Sequence, residues 1–321
     1  MKNHRGELSW TFVIEPPWRT LVKNPHDLLL DVDGIRVLRG TSGGRYPHGN
    51  SVIVQGRDST MIIDPSLSLA GAMEAPAADS ILISHCHEDH VAGVYRYPDA
   101  SIVVPEADKL GLDSIDGLMR IYGLPSSIEG KWRDEVLERF HYTPRPDATA
   151  YGDGDTFDLG SAKLHVVHLP GHTRGHSGIL IEPHGVMYLA DIDLTGFGPY
   201  YGDAWSSLDD FEQTLRKCRD LDARWFVTFH HRGVVEGRQE FLALLAEYEA
   251  VIPRRELALL DFLDQPRTPD DIVAHRFVYR PHVTLLFVDG VERRSAELHL
   301  ERLIARGQVT ETAPGTYLRA R

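Results

Sequence analysis

The sequence predicts an α/β fold in which β-sheets lie buried under helices. Three observations carry this reading. Short, strongly apolar strand segments recur through most of the chain, helical stretches are interspersed among them, and four of the strands end in histidine or aspartate. Strands apolar on both faces need cover on both faces, and helices supply it.

The elements follow in order. "DLLLDVDGIRVLRG" reads as a strand pair turning at Asp33-Gly34, and "NSVIVQG" and "STMIIDP" repeat the strand pattern. "SILISH" is an apolar run that stops at a histidine cluster, and "SIVVPEA" is a further strand. From about 106 to 145 the spacing turns helical, in "DSIDGLMRIYGLP" and "SSIEGKWRDEVLERFHY". Strands return in "DTFDLG", "AKLHVVHLP", "SGILIEP" and "GVMYLADID". "SSLDDFEQTLRKCRDL" is a helix capped by Ser207, with Leu208, Phe211, Leu215 and Cys218 on one face. "ARWFVTFHH" is another strand, and "GRQEFLALLAEYEAVIPRRELALLDFL" is helical. From Pro253 to Arg321 the order is helix, helix, helix, then two strands around Pro314-Gly315, the order of a winged helix. The division expected is therefore 1–252, with a helical insertion at about 106–145, and a small C-terminal winged-helix-like domain at 253–321.

The 321 residues, 42% hydrophobic and 25% charged, are ordinary for a globular protein. A net charge of -13 argues against a dedicated nucleic-acid or anionic-membrane binder. The 253–321 segment carries 11 basic and 10 acidic residues, without the basic face of a DNA reader. Two cysteines, Cys86 and Cys218, are too few for a disulfide framework and point to a reducing cytoplasm. The N-terminal "MKNHRGELSWTFVIEPPWR" has no apolar stretch of signal-peptide quality, and no segment approaches the roughly 20 apolar residues of a membrane span.

"ILISHCHEDHVAG" places His85, His87, Glu88, Asp89 and His90 together at a strand end. Such a cluster repels itself when protonated and is costly to bury unpaired, so a metal ion is the natural partner. His85 and His87 can face one side and hold one ion, while Asp89 and His90 turn to hold a second. Imidazole nitrogen and carboxylate oxygen suit zinc, iron and manganese. Three more strand ends share this grammar: His172 in "GHTRGH", Asp191 in "LAD", and His230 with His231 in "WFVTFHHRG".

Taken together, "HxHxDH", "GHTRGH", "LAD" and the last histidine, in this order between about 34 and 233, resemble the metallo-β-lactamase superfamily of hydrolases. The resemblance implies an αββα sandwich with its site at one end. It implies two divalent metal ions, zinc first, with iron or manganese as alternatives. His85, His87 and His172 would hold one ion, Asp89, His90 and His230 the other, and Asp191 would bridge them; His231 could replace His230. Asp89 would orient the attacking hydroxide and pass its proton to the leaving group. Ser84 and His176 would support the ligand rings.

Glu88 is expected to be a solvated spacer and Cys86 a packing residue. His165, His168, His184, His275, His282 and His299 fall among surface or satisfied core histidines. "LTGFGPYYGD" reads as a loop at the cleft, where Phe197, Tyr200 or Tyr201 would contact substrate. The helical insertion could be a lid, a structural cover or a homodimer surface.

The expected activity is hydrolysis of a small-molecule ester, thioester, lactone or related acyl substrate. A ribonuclease or phosphodiesterase is the alternative, followed by an iron-dependent oxidase or dioxygenase and a non-catalytic regulator. The C-terminal extension resembles that of the lactamase-like protein 2 group, some of which act on RNA and others on acyl thioesters.

Overall fold

The structure, a computed structural model, describes residues 28–320. The N-terminal stretch read for a leader lies outside the described residues.

Seven strands form the first sheet in the order β1 to β7: β1 (Leu28–Val32), β2 (Ile35–Leu38), β3 (Ser51–Gln55), β4 (Thr60–Ile63), β5 (Ser80–Leu82), β6 (Ser101–Pro105) and β7 (Thr149–Tyr151). The first four pair antiparallel and the last four parallel, so β4 belongs to both patterns. The second sheet runs β13-β12-β11-β10-β9-β8, from β8 (Thr156–Asp158), β9 (Lys163–His168), β10 (Ser177–Glu182), β11 (Val186–Tyr188), β12 (Trp225–Val227) and β13 (Val234–Glu236). Only β11 and β12 pair parallel there.

Alternation along each strand builds four layers. Val52, Val54 and Ile63 of one sheet meet Leu164, Ile179, Val186, Tyr188 and Val227 of the other in a shared core. The residues between them point outward. Ile53, Ile62, Ile81 and Ile102 pack against Leu112, Leu118, Ile121, Trp132 and Val136 of the helices Lys109–Asp113, Ile115–Tyr122 and Ser126–Glu138. On the far side, Met187, Phe226 and Val235 pack against Leu208, Phe211, Leu215, Phe241 and Tyr248. Phe226 stacks on Phe241 with ring centroids 3.8 Å apart. The αββα sandwich is thus helix, sheet, sheet, helix, each contact closed by side chains of one parity. The helical insertion covers the first sheet and also places Tyr122 and Trp132 beside the strand-end residues described below. The helix Leu208–Cys218 starts where its cap was expected: the Ser207 side chain accepts the Asp210 N–H at 3.2 Å.

The last segment has helices Val251–Phe262, Pro269–His275 and Val288–Ala305, followed by the hairpin β14 (Val309–Ala313) and β15 (Thr316–Arg319). Leu259, Leu260, Leu263, Ile272, Ala296, Leu300 and Leu303 form its own small core. It is joined to the sandwich by charge. Arg302 reaches Asp209 and Glu212 of the helix Leu208–Cys218 at 2.7 and 2.9 Å, and within the segment Arg302 and Arg306 both meet Glu256 at 3.1 Å. His299 is fully buried between Glu256 and Tyr201.

Burial raises the Glu256 carboxyl, but His299 and Arg302 outweigh it and hold the group at about 2, below its ordinary 4.5. A depressed carboxyl stabilises the fold above the unfolded value and loses that contribution as pH falls through the folded one. Glu256→Gln is therefore expected to cost about 1–2 kcal/mol at pH 7, since the group is partly solvated. Urea unfolding of both proteins should show this gap shrinking between about pH 4.5 and 2. A gap that does not change with pH would show that charge is not its origin.

Candidate metal centre

All the clustered residues sit at the carboxyl ends of strands on one rim. β5 leads into Ser84 to His90, β9 into His172, β11 into Asp191 and β12 into His230. Because β9 and β11 both run antiparallel to β10, their ends meet at the same edge. His172 is delivered by a turn at Gly171, whose φ is +126°; a Cβ there would lie 2.4 Å from the Phe211 backbone.

The inner nitrogens converge. His85 Nε2, His87 Nδ1 and His172 Nε2 lie 3.0 to 3.1 Å from one another. A tetrahedron with metal–nitrogen bonds of about 2.0–2.1 Å has edges of about 3.3–3.4 Å, so the triangle is of the size a cation needs. Asp89, His90 and His230 form a second group, with donor atoms within 4.8 Å of one another. Asp191 stands between the two. Its Oδ2 is 3.2 Å from His172 Nε2, and its Oδ1 is 3.0 Å from His90 Nε2. The Oδ2 of Asp89 is buried, 3.1 Å from His230 Nε2, yet accepts no well-directed hydrogen bond. A cation would complete it.

The outer nitrogens are each held by protein. His172 Nδ1 faces the Tyr200 carbonyl at 3.0 Å, and His230 Nδ1 faces the carbonyls of Gly44 and His48 at 3.0 Å. Carbonyls only accept, so these nitrogens carry the hydrogen and leave Nε2 bare in the neutral ring. His90 Nδ1 meets Asp64 at 2.8 Å. Ser84 donates its hydroxyl hydrogen to Asp64 and accepts from His85 Nδ1 at 3.1 Å. His87 Nε2 lies 2.9 Å from Asp203 in an ion-pair contact bent away from a linear hydrogen bond. His176 donates Nδ1–H to the Leu169 carbonyl at 2.8 Å and accepts the Asp191 N–H on Nε2 at 3.1 Å. That role requires a neutral ring. Burial and the nearby His172 lower His176 to about 3.

Titration follows charge. Burial drives His85 well down, and its three histidine neighbours add to the fall. Burial opposes charge on His87 and His230 too, but Asp203 on one and Asp191 with Asp89 on the other lift both to about 9. Burial raises Asp89 and Asp191, and the positive field of His90 and His230 overcomes it, keeping both carboxylates ionised.

Several expectations change. Glu88 is not solvated: it is buried, and the hydroxyls of Tyr46 and Tyr122 both donate to it. Burial, then the neighbouring Asp89, push its carboxyl up to about 7. Tyr201 does not reach the cleft, because its ring is buried and its hydroxyl bonds His299 at 2.9 Å. Phe197 and Tyr200 do line the cavity above the donors. His230 points inward, whereas His231 is exposed and belongs to neither donor group. Cys86 is fully buried packing, its thiol pushed well up by burial.

Three supporting residues were missed. Asp64 binds Ser84, His90 and Tyr188. Asp203 balances His87. Asp108 receives the Thr173 hydroxyl at 2.6 Å and the Gly175 N–H at 2.8 Å, fixing the His172 turn. Asp64 ends β4 in "TMIIDP", the same strand-end signal as Asp191, and Asp203 closes "LTGFGPYYGD". Asp64 and Ala190, beside the site, both have φ of +48°, a conformation non-glycine residues adopt only under constraint.

The cavity measures about 410 Å³. His87, Asp89, His172, Asp191 and His230 form its floor, and Tyr122, Trp132, Phe197, Tyr279 and Phe287 contribute to its walls. Two of those walls come from the C-terminal segment.

The sequence pattern of the metallo-β-lactamase superfamily matches residues 45–231, and the chain belongs to that superfamily. It is 25% identical over 153 residues to a hydroxyacylglutathione hydrolase of Aeromonas salmonicida, a match covering 45% of this chain and 46% of that protein. It is 23% identical over 210 residues to the acyl-coenzyme A thioesterase MBLAC2 of Bos taurus, covering 57% of this chain and 72% of that one. The chain thus spans about half the length of the first relative and nearly three quarters of the second. A crystal structure of a metallo-β-lactamase family protein from Thermus thermophilus superposes with a TM-score of 0.67 at 23% identity, over 90% of this chain and 99% of that one. That likeness shows the fold.

Asp64→Ala is expected to weaken divalent-ion binding about 10–100-fold, since His90 loses its partner and Ser84, which orients His85, loses the carboxylate that fixes its hydroxyl. Calorimetric titration of metal-stripped protein checks this, and unchanged affinity would remove Asp64 from the site.

Proposed function

We propose that the protein is a metal-dependent hydrolase of acyl thioesters and related small acyl substrates. The observation that carries this reading is the convergence of seven donor side chains, five of which (His87, Asp89, His172, Asp191 and His230) line the floor of a largely aromatic cavity. We assign His85, His87 and His172 to one divalent ion, Asp89, His90 and His230 to a second, and Asp191 to both. Zinc suits the nitrogen-rich set best, with iron or manganese as alternatives. Ions held there supply a water of lowered pKa and Lewis acidity at the acyl oxygen.

The protein's own groups do the rest. Asp89, held ionised by His90 and His230 against burial, orients the attacking water and takes its proton. It returns that proton to sulfur as the C–S bond breaks, releasing a thiol and an acid. The aromatic walls take the acyl chain and exclude bulk water, each buried methylene adding about 0.8 kcal/mol. Ser84 and His176 act as supports, Phe197 and Tyr200 as substrate contacts.

The wall chemistry favours acyl substrates over phosphodiesters. Among the described residues lining this cavity, Arg45 is the one lysine or arginine, against five acids. The named relatives are thioester hydrolases, which supports the same choice. We further infer that 253–321 is a winged-helix-like module that serves as a cavity wall. No helix among the described residues is long and apolar enough to cross a membrane. The two buried, unpaired thiols support a reducing, cytoplasmic setting.

A hydrolysis screen of thioesters, lactones, phosphodiesters and RNA, with Asp191→Ala as control, tests the reading; turnover of RNA alone would overturn it. Asp89→Ala is expected to lower thioester turnover at least about 100-fold with the fold intact. A loss under about tenfold would end the proton-carrying role.

A further inference from the structure

A second hollow of about 530 Å³ lies beside the donor-lined cavity. Phe197 and Tyr279 line both, their ring centroids 5.2 Å apart, so the two spaces share one aromatic wall. The charge of the two spaces is opposite. Arg254, Arg255 and Arg280 line the second hollow, and no acidic residue does among the described residues.

These three arginines gather on one hollow in a chain of net charge -13. Elsewhere in the C-terminal segment, Arg276, Arg293, Arg302, Arg306 and Arg319 each meet a carboxylate. Among the described residues, Arg254, Arg255 and Arg280 make no ion pair. Arg255 is buried, with its guanidinium on the carbonyls of Pro199 at 2.5 Å and Phe197 at 2.8 Å and against the rings of Phe197 and Tyr201. It is a fixed positive charge at the shared wall. Arg254 is exposed and makes one long contact, 3.5 Å to the Glu247 carbonyl, and Arg280 is exposed. The strip carrying Tyr279 is held rigidly: buried Glu292 accepts the N–H groups of Phe277, Val278 and Tyr279 at 2.6 to 3.2 Å. Three cations without counter-ions beside a fixed wall are an arrangement suited to an anion, and guanidinium groups suit phosphate oxygens above all.

An acyl thioester has two ends. The aromatic cavity fits the acyl chain, and the thiol carrier must extend from the scissile bond to a neighbouring surface. We propose that the hollow bounded by Arg254, Arg255 and Arg280 binds the phosphate groups of a phosphorylated thiol carrier, so that the substrate straddles the Phe197–Tyr279 wall. The proposal rests on the thioesterase reading above and adds the chemical class of the leaving group. It also gives the C-terminal segment a share in recognition, since all three arginines belong to it.

The test compares full-length, metal-loaded protein with its Arg254→Ala/Arg280→Ala variant. Both substituted side chains are exposed and outside the catalytic floor. One acyl chain is presented on coenzyme A and on N-acetylcysteamine, a thiol without phosphate. The variant is expected to raise KM for the phosphorylated thioester at least tenfold with kcat unchanged, and to leave the neutral thioester unaffected. The phosphorylated thioester's kcat/KM should also fall with added salt in the wild type and respond less in the variant. Equal effects on both thioesters, or none on either, would overturn the proposal.

Calorimetry with free coenzyme A, and separately with inorganic pyrophosphate, separates this idea from the catalytic one. Binding that the variant loses, in a protein that cleaves no thioester, sustains the anion hollow and sinks the hydrolase reading. Cleavage of both thioesters with no binding lost in the variant does the reverse. Binding of pyrophosphate but not of coenzyme A would make the hollow a site for a free phosphate and overturn the carrier assignment.

Discussion

Five imidazoles and two carboxylates packed against one another, nearly all out of water, are the constraint on which this molecule is built. Each such group costs several kcal/mol to bury unless its polar atoms are met. The fold meets the cost from outside. Asp64, Ser84 and Asp203, with the carbonyls of Tyr200, Gly44 and His48, take the outer nitrogens, so the inner ones are left facing one another. That division of each ring into a satisfied side and an open side is what makes the cluster a site for cations. Asp191 is held in turn through its backbone by a histidine too deeply buried to be charged.

The outer partners explain why so much of the chain is committed to this rim. Tyr200 and Asp203 lie in one loop, and that loop is anchored by the C-terminal segment. Arg255 grips its carbonyls at Phe197 and Pro199, and His299 bonds its Tyr201. The C-terminal segment therefore touches the donor rings through one intermediary. It also supplies Tyr279 and Phe287 to the cavity. A part of the chain with its own small core thus both supports the centre and shapes what reaches it.

The strands, the helical insertion and the capped helix at Ser207 were legible because periodicity and capping are local. The donor residues were legible because histidines and acids at strand ends have few structural uses. The errors have a common cause. Glu88 reads as solvated, since a charged side chain beside polar neighbours usually is; two tyrosines 34 and 42 residues away bury it instead. Tyr201 and Tyr200 are adjacent and chemically alike, yet one faces the cavity and the other His299, nearly 100 residues on. Asp64 carried the strand-end signal and was passed over, because one acid at the end of one strand is ordinary until its partners are known.

By itself the sequence determined the alternation that buries each strand on two faces, the strand ends at which the donors stand, and the donor types that suit divalent ions. Those are properties of neighbours along the chain. The tertiary structure alone decided which donors share a cation-sized space, that Asp191 lies between the two groups, that His230 joins a donor group and His231 does not, and that Asp64 and Asp203 hold the rings. Those depend on segments 20 to more than 100 residues apart meeting at one rim. Two sheets packed face to face, with β5, β9, β11 and β12 ending on the same edge, bring them there.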